Sequence, residues 1–338
     1  MKHLLILSML CLFLSTCTKE EICPSSEELD LFDELWLSFS QEYAAFEVLG
    51  IDWNRVRDTY RPQVTAATSP DSLLEVFRVM LYELKDAHAD LQTYSKLGAI
   101  NYYYEVTNEA PNNYIGWDHI RINYLEQLIE KNSQLAYGKI RNTEIGYLKL
   151  ATFSGTSEDF DVALRLLTDF DNLNGVIIDV RNNGGGNELN AQLIAGRFTD
   201  QTTTYRYTKY KEGCQRNKLS DFKTLKLDPV GPEQFLGKVI LLTNKKTFSA
   251  GEDFTLMMKA LPNVYHIGDH TWGGFATGPT QKTLSNGWGY RVSRNINYDL
   301  SKTPFVGGIA PDERVIISVE DEINEEDVVL EKAISLLN

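Results

Sequence analysis

The stretch that decides the fold is "KVILLTNKKTFSAGEDFTLMMKAL", residues 238–261. Its apolar beginning predicts a buried β-strand, and apolar residues at helical spacing follow at once. A single small hydroxyl, Ser249, lies at the junction, beside Ala250 and Gly251. A serine there either caps the helix or acts as a nucleophile, because a strand-to-helix turn exposes its hydroxyl next to backbone amides and the positive end of the helix.

A glycine-rich loop, "DVRNNGGGNE" (179–188), is the second informative feature. Its three glycines follow the buried strand predicted at 175–180 and precede a helix predicted at about 188–198. Such a loop presents unpaired amides, as in a phosphate cradle or an oxyanion hole, or it is simply a tight turn. Neither the GxGxxG nor the GxxxxGK[ST] pattern is present, so an oxyanion hole is favoured over a phosphate site.

Strand and helix patterns alternate from residue 146 onwards. This alternation predicts an α/β core with a largely parallel sheet over residues 141–338. The tail after residue 285 is interpreted as rich in strands.

Two amphipathic helical patterns precede this core, at 25–46 and at 69–86. They predict a small N-terminal helical domain over residues 26–95. A connecting segment, 96–140, contains the ambiguous stretch 124–140, which is interpreted as a helix followed by a strand.

Several residues are interpreted as helix caps. Ser25 and Glu28 fit a capping box, and Ser69 suits the N-cap of the second helix. Glu252 and Asp253 fall in the first turn after Ser249, where negative charge suits the helix dipole, and they are interpreted as structural.

The N-terminus predicts export. "MKHLLILSMLCLFLSTC" (1–17) combines a basic start, a short apolar run and small residues, which is typical of a signal peptide. Its end, "LSTC", resembles a bacterial lipobox and implies that Cys17 is acylated, with residues 18–25 as a tether. The protein is thus predicted to be an exported bacterial lipoprotein, periplasmic or on the outer membrane or cell surface. Ordinary cleavage without lipidation is the alternative.

Composition narrows the range of partners. The chain has 338 residues, 43% of them hydrophobic, which is enough for a sizeable core. Its net charge of −14 argues against nucleic-acid binding, which requires clustered Lys and Arg. The cysteines show no zinc-type spacing, and Cys23 and Cys214 are the pair available for a disulfide in an oxidising compartment.

The two central motifs together resemble the S41 serine peptidases, the family of the C-terminal-processing proteases and the tricorn core protease. Further segments occur in the family's order, and the resemblance covers roughly residues 26–320. The segments are "LKDAHADL" (84–91), "VIIDVRNNGGG" (176–186), "LLTNKKTFSAGEDF" (241–254), "IGDHTWGG" (267–274), "LSNGW" (284–288) and "GGIAPDERV" (307–315).

The resemblance implies a ClpP/crotonase-like spiral core with a nucleophile at Ser249. It places the oxyanion hole at Gly184, Gly185 and the amide of Ala250. The segment between residues 92 and 145 is too short for the PDZ domain that processing proteases carry, so a tricorn-like branch is indicated. The aromatic-rich insert 101–124 either shapes the cleft or packs on the core.

The general base departs from one branch of the family. Processing proteases use a lysine after the serine, but Gly274 stands at that position. The tricorn-like branch uses a histidine, which His88 matches, and an imidazole with a pKa near 6.5 can take and return a proton. His270 is the rival base. Lys245 is expected to lie in solvent at the strand end.

The residues that orient the base in the tricorn-like branch are replaced here. Ala87 stands where that branch has a serine, and Phe305 stands at its glutamate position. Asp86 or another carboxylate must therefore replace the glutamate if the relay is complete.

The sequence thus predicts a secreted, lipid-anchored serine endopeptidase that acts on peptides or proteins without a metal or organic cofactor. The main alternative is a non-catalytic surface lipoprotein of the same fold that binds peptides or a protein partner. An acyl-thioester enzyme of crotonase type is the third reading.

Overall fold

The structure is a computed structural model that describes residues 26–95, 98–102, 113–170 and 172–338. The predicted signal peptide with Cys17, and the predicted tether with Cys23, lie outside the described residues. Cys214 is exposed and forms no disulfide with any cysteine of the described residues.

Helices occur at both ends of the chain and between the strands of its central part. They are α1 (Glu27–Glu42), α2 (Phe46–Leu49), α3 (Trp53–Tyr60), α4 (Pro70–Tyr82), α5 (Trp117–Asn123), α6 (Val162–Asp169), α7 (Glu188–Ala195), α8 (Ala250–Lys259), α9 (Val319–Ile323) and α10 (Val328–Leu337). Short 3₁₀ helices lie at Arg61–Gln63, Ser157–Asp161 and Gly196–Phe198.

The strands form two sheets. They are β1 (Asp90–Ser95), β2 (Gly98–Tyr102), β3 (Leu125–Glu130), β4 (Leu135–Ile140), β5 (Ile145–Leu150), β6 (Gly175–Asp179), β7 (Thr203–Tyr210), β8 (Lys223–Leu227), β9 (Lys238–Thr243), β10 (Val264–Gly268), β11 (Ala276–Thr283), β12 (Gly289–Tyr298) and β13 (Glu313–Arg314).

The larger sheet has seven strands in the order β13-β10-β9-β6-β5-β4-β3. The pairs from β5 through β6, β9 and β10 to β13 are parallel, whereas β4 and β3 continue the sheet antiparallel. All residues of β5 and β6 are buried, as expected for parallel strands that are covered on both faces. The predicted α/β core with its largely parallel sheet is confirmed.

The smaller sheet is antiparallel and was not anticipated from the sequence. It runs β2-β1-β12-β7-β8, with β11 also paired to β12. Strand β1 comes from the N-terminal part of the chain, yet it pairs with β12 near the other end, for example Leu91 with Tyr290.

The N-terminal helices contribute to the central hydrophobic core. Buried side chains of α1 and α4, such as Phe32, Leu35 and Phe77, belong to the same apolar cluster as Leu241 of β9 and Phe254 of α8. The region predicted as helical over 26–95 ends in strand β1. Its helices and the α/β part share one continuous hydrophobic core.

A second apolar cluster covers the other face of the larger sheet. Helix α10 supplies Val329, Leu330 and Ala333, and the segment before β3 supplies Ile120. The described part of the aromatic-rich insert, residues 113–124, thus packs on the core.

Three local predictions were wrong. The stretch 124–140 is a pair of antiparallel strands, β3 and β4, since its apolar residues serve a sheet edge instead of a helix face. The tail after 285 continues as β12 but ends in helices α9 and α10. The N-cap of α1 is Ser26, which accepts the amide of Leu29 at 3.3 Å, whereas Ser25 lies outside the described residues.

Within the described ranges, no helix combines the length and the apolar character required to cross a membrane.

Candidate active site

The loops that carry the predicted site meet because their strands are neighbours. Strands β6, β9 and β10 are adjacent and parallel, so their carboxyl ends share one edge of the sheet. The glycine loop follows β6, the serine turn follows β9, and segment 269–275 follows β10. Crevices at the carboxyl ends of parallel strands are common ligand sites in α/β proteins.

Ser249 occupies a strained turn directly before α8. Its backbone has φ 56° and ψ −121°, a conformation that non-glycine residues rarely adopt. The amide of Phe248 donates to the carbonyl of Asn183 at 2.9 Å, and the amide of Ser249 donates to the Glu252 carboxylate at 3.1 Å. The surroundings therefore hold a backbone geometry that is costly by itself, as is common at functional sites.

His88 reaches Ser249 from a distant part of the chain. It lies between α4 and β1, and its Nε2 is 3.0 Å from Oγ of Ser249. Its Nδ1 is 2.8 Å from the carbonyl oxygen of Ala276, at the start of β11. Because a carbonyl oxygen only accepts, Nδ1 carries the proton and Nε2 presents a lone pair to the serine hydroxyl.

The imidazole is buried, with 5% of His88 exposed. Burial lowers the pKa of His88 to about 4, opposed by the hydrogen bond with the Ala276 carbonyl. The side chain is therefore neutral near neutral pH, as a proton acceptor must be.

Asp86 is the carboxylate nearest to the base. Its Oδ1 accepts the His88 amide at 2.8 Å and lies 3.8 Å from Nδ1, while its Oδ2 accepts the Ser293 hydroxyl at 2.9 Å. Burial raises the pKa of Asp86 to about 6, and these two hydrogen bonds act in the opposite direction. The direct orienting acceptor of the imidazole is thus the Ala276 carbonyl, with Asp86 just beyond hydrogen-bond reach.

Gly274 leaves no room for a larger residue at the position of the family's lysine. A Cβ added there would overlap the Phe248 ring and lie 2.8 Å from Oε2 of Glu252. The Phe248 ring itself stacks on His88, with centroids 4.5 Å apart. Phe305, at the position of the family's glutamate, is buried in the central apolar cluster.

The glycine loop lies against the serine turn. Gly185 has φ 97°, and a Cβ added to it would lie 2.7 Å from Cβ of Ser249 and 3.1 Å from the amide nitrogen of Ala250. Its amide donates to Oδ1 of Asn183 at 2.8 Å. Among the described residues, the amides of Gly184 and Ala250 meet no hydrogen-bond acceptor, and Gly184 faces open space.

Two other sequence candidates lie elsewhere. His270 is half-buried, and its Nδ1 lies 3.4 Å from the carboxylate of Asp269. Its partner is therefore Asp269 and not Ser249. Lys245 was expected in solvent, but it is half-buried, and its Nζ donates to the carbonyls of Thr271 at 3.2 Å and Gly307 at 2.8 Å.

Three residues that the sequence did not single out as functional also shape the site: Asn183, Glu252 and Ala276. Glu252 follows Ser249 at the spacing of a capping box, which is the one signal that links it to the serine. Ala276 acts through its backbone carbonyl, and Asn183 acts partly through its own, and such roles leave no trace in residue type. In the described part of the chain, no three acidic, histidine or cysteine side chains are grouped to hold a metal ion.

Comparison with known families gives two matches along this chain. Residues 144–315 match peptidase family S41, and residues 24–82 match the tricorn protease C1 domain. The second match spans helices α1–α4, and the first contains the glycine loop and the serine turn.

Among curated proteins, the chain is 28% identical over 159 residues to the carboxy-terminal processing protease CtpB of Bacillus subtilis. It is also 28% identical over 161 residues to the tricorn protease of Thermoplasma acidophilum. Each match covers 47% of this chain, but only 30% of the first relative and 13% of the second.

Among solved structures, the fold is similar to that of a provisionally assigned peptidase from Parabacteroides merdae. The two share 32% identity with a TM-score of 0.81, and the match covers 93% of this chain and 97% of the other.

Proposed function

Because this chain belongs to peptidase family S41, we propose that it is a serine endopeptidase in which Ser249 is the nucleophile and His88 the general base. The observation that carries this proposal is the 3.0 Å contact between Nε2 of His88 and Oγ of Ser249. That distance allows direct proton transfer from the hydroxyl as it attacks.

The reaction follows from this geometry. Oγ of Ser249 bonds to the carbonyl carbon of the scissile peptide while its proton passes to Nε2 of His88. The imidazolium then donates that proton to the leaving amine nitrogen as the carbon–nitrogen bond breaks, and an acyl-enzyme remains. Water attacks the ester, gives one proton to Nε2, and Oγ leaves and takes that proton back.

The negative charge of the tetrahedral intermediate requires donors. We assign this role to the amides of Gly184 and Ala250, which have no other acceptor among the described residues. Gly185, the third predicted member, donates instead to Asn183, and its absent side chain lets the loop approach Ser249. One such donor is worth about 3 kcal/mol of transition-state stabilisation.

The imidazolium formed during attack also requires stabilisation. The Ala276 carbonyl keeps the proton on Nδ1, and the Asp86 carboxylate, 3.8 Å from that nitrogen, supplies the opposite charge. Asp86 thereby takes the part of the glutamate whose position Phe305 occupies.

A non-catalytic, peptide-binding role is the second candidate, favoured by Phe305 and by Gly274 at two positions where the family carries catalytic side chains. A non-catalytic binding protein does not require a strained serine turn with a histidine at hydrogen-bond distance. The Ser249–His88 contact therefore favours the enzyme.

A fluorophosphonate probe, which forms a covalent bond with activated serines, separates the two candidates. We expect labelling of the wild type, none of Ser249→Ala, and at least 10²-fold slower labelling of His88→Ala, in line with the usual contribution of a general base. Ser335→Ala, an exposed serine on α10, is the matched control and should label normally. A correctly folded wild type that never labels would refute the enzyme and leave the binding protein.

We further propose that the protein is exported and anchored through an acylated Cys17, with the enzyme in the periplasm or on the cell surface. The support is the signal-like sequence 1–17 and the charged tether that follows it. Incorporation of an alkyne fatty acid by the wild type but not by Cys17→Ala is expected. Recovery of both proteins in the soluble fraction, without labelling of either, would mean ordinary cleavage.

A further inference from the structure

We propose that Glu252 is a positioning residue that holds Ser249 and the orienting partner of His88 in one arrangement. The inference rests on the proposed function, because it concerns how the same Ser–His pair is kept aligned. The sequence alone suggested only a structural role at the helix start.

Glu252 is surrounded by donors. Its Oε2 accepts the amides of Ser249 at 3.1 Å and Gly274 at 2.9 Å. Its Oε1 accepts the amide of Gly273 at 2.7 Å and the hydroxyl of Thr271 at 2.7 Å. Only 1% of the residue is exposed, so these four contacts account for the solvation of the carboxylate.

These contacts connect the two halves of the site. One of them fixes the amide of Ser249 in its strained turn. The others fix segment 271–274, and Ala276, two residues further on, provides the carbonyl that orients His88. A single carboxylate therefore determines both the position of the nucleophile and the placement of the base's acceptor.

The arrangement requires an ionised Glu252. A carboxylate accepts from all four donors, whereas a protonated carboxyl group presents an O–H to at least one of them. Burial raises the pKa of Glu252 to about 7, opposed by the hydrogen bonds from Thr271, Gly273, Gly274 and Ser249.

Three charged or titratable groups surround this carboxylate. Lys245, which donates to the Thr271 carbonyl, is a nearby cation that interacts electrostatically with the Glu252 carboxylate. His88 lies across Ser249, and Asp253 on the same helix turn is paired with Arg206. The segment 271–274 contributes none of its own. The pKa of His88 lies near 4, whereas burial raises the pKa of Asp86 to about 6 and also raises that of Asp253. A change in rate near pH 7 is therefore assigned to Glu252 by its loss in Glu252→Gln and its persistence in Asp253→Asn.

The test is the pH dependence of fluorophosphonate labelling. We expect the wild-type rate constant to rise as the pH passes through about 7 and Glu252 becomes ionised. In Glu252→Gln, one oxygen is replaced by a donor, so the plateau should fall about 10²-fold, as for a misplacement of about 1 Å, and the rise near pH 7 should vanish.

Asp253→Asn is the matched control. This substitution removes the neighbouring buried carboxylate of α8, which pairs with Arg206. It leaves intact the Glu252 carboxylate, which accepts the amides of Ser249, Gly273 and Gly274. Its thermal midpoint is expected to fall, but the rise near pH 7 should persist with a plateau within a few-fold of the wild type.

A milder pair of variants decides the question if Glu252→Gln does not fold. Thr271→Val deletes one donor to the carboxylate and should move the rise to higher pH by about one unit, since loss of a hydrogen bond to an ionised group raises its pKa. Thr271→Ser retains the hydroxyl and should restore the wild-type profile.

Each outcome is informative. Loss of the rise in Glu252→Gln, or its upward shift in Thr271→Val alone, supports the positioning role. A labelled wild type whose profile is matched by Glu252→Gln and Thr271→Val overturns it while the proposed function stands. A folded wild type that shows no labelling overturns both.

Discussion

His88 illustrates how one residue acquires its chemistry from its surroundings. In water an imidazole titrates near pH 6.5, but here it is buried against the Phe248 ring and bonded through Nδ1 to a carbonyl. Desolvation disfavours the charged form, so the neutral base persists to much lower pH. The same burial makes the residue a source of acid instability.

The direction of that instability can be predicted. The folded-state pKa of about 4 lies below the unfolded value of 6.5, so the unfolded chain binds more protons between these limits. The contribution of neutral His88 to stability is complete above pH 6.5 and is lost as the pH falls through about 4.

Urea unfolding of the wild type and of His88→Gln, at pH 7.5 and at pH 4.5, measures this contribution. The free energy of unfolding of the wild type relative to the variant should fall by about 2.5 kcal/mol between the two pH values. An unchanged difference would mean that His88 titrates normally in the folded protein.

At the scale of elements, the site depends on two loops that follow adjacent parallel strands, β6 and β9. The glycine loop approaches the serine turn so closely that Gly185 has no space for a side chain, whereas Gly184 beside it faces open space and has no positive φ. The two neighbouring glycines therefore have different requirements.

A matched pair of alanine substitutions tests this difference. Gly185→Ala should destabilise the protein by about 1–3 kcal/mol, because a side chain must adopt a positive φ and displace the Ser249 turn. It should also slow probe labelling strongly. Gly184→Ala retains its amide and should fold with nearly wild-type stability.

Thermal unfolding and labelling of both variants provide the measurement. Equal tolerance of the two substitutions would show that the loop does not approach Ser249 as closely as the structure indicates.

At the scale of the whole molecule, the N-terminal helices and the α/β part form one core. His88 follows α4, and strand β1, directly after His88, pairs with β12. The N-terminal region therefore carries the base, and the α/β part carries the nucleophile that the base contacts. The catalytic pair is assembled only when the two regions pack together.

We therefore expect the two regions to unfold together. Leu35→Ala, a fully buried residue of α1, should lower the free energy of unfolding by about 2–5 kcal/mol. Leu37→Ala, on the same helix but 48% exposed, should change it much less. In a variant whose other three tryptophans, Trp117, Trp272 and Trp288, are replaced by Phe, fluorescence reports Trp36 and Trp53 of the helical region and should give the same midpoint as far-UV circular dichroism of the whole chain. A separate early transition of the helical region would contradict a shared core.

The sequence by itself determined the parts of the molecule that local patterns encode. The runs at 175–180 and 238–243 predicted buried parallel strands because such strands are apolar on both faces, and the structure places β6 and β9 there. The motifs around Ser249 and Gly184 likewise identified the family, because the residue types themselves carry the pattern.

Only the tertiary structure decided which groups meet. The antiparallel sheet, the pairing of β1 with β12, and the backbone carbonyl contacts of Ala276 with His88 and of Asn183 with Phe248 join segments far apart in the chain. Backbone atoms are the same in every residue, so residue type does not reveal such contacts. A sequence pattern reports side-chain type and local spacing, so it predicted a serine and a histidine. Their 3.0 Å contact, and the hydrogen bonds by which Glu252 holds the two segments in place, arise from packing between distant elements.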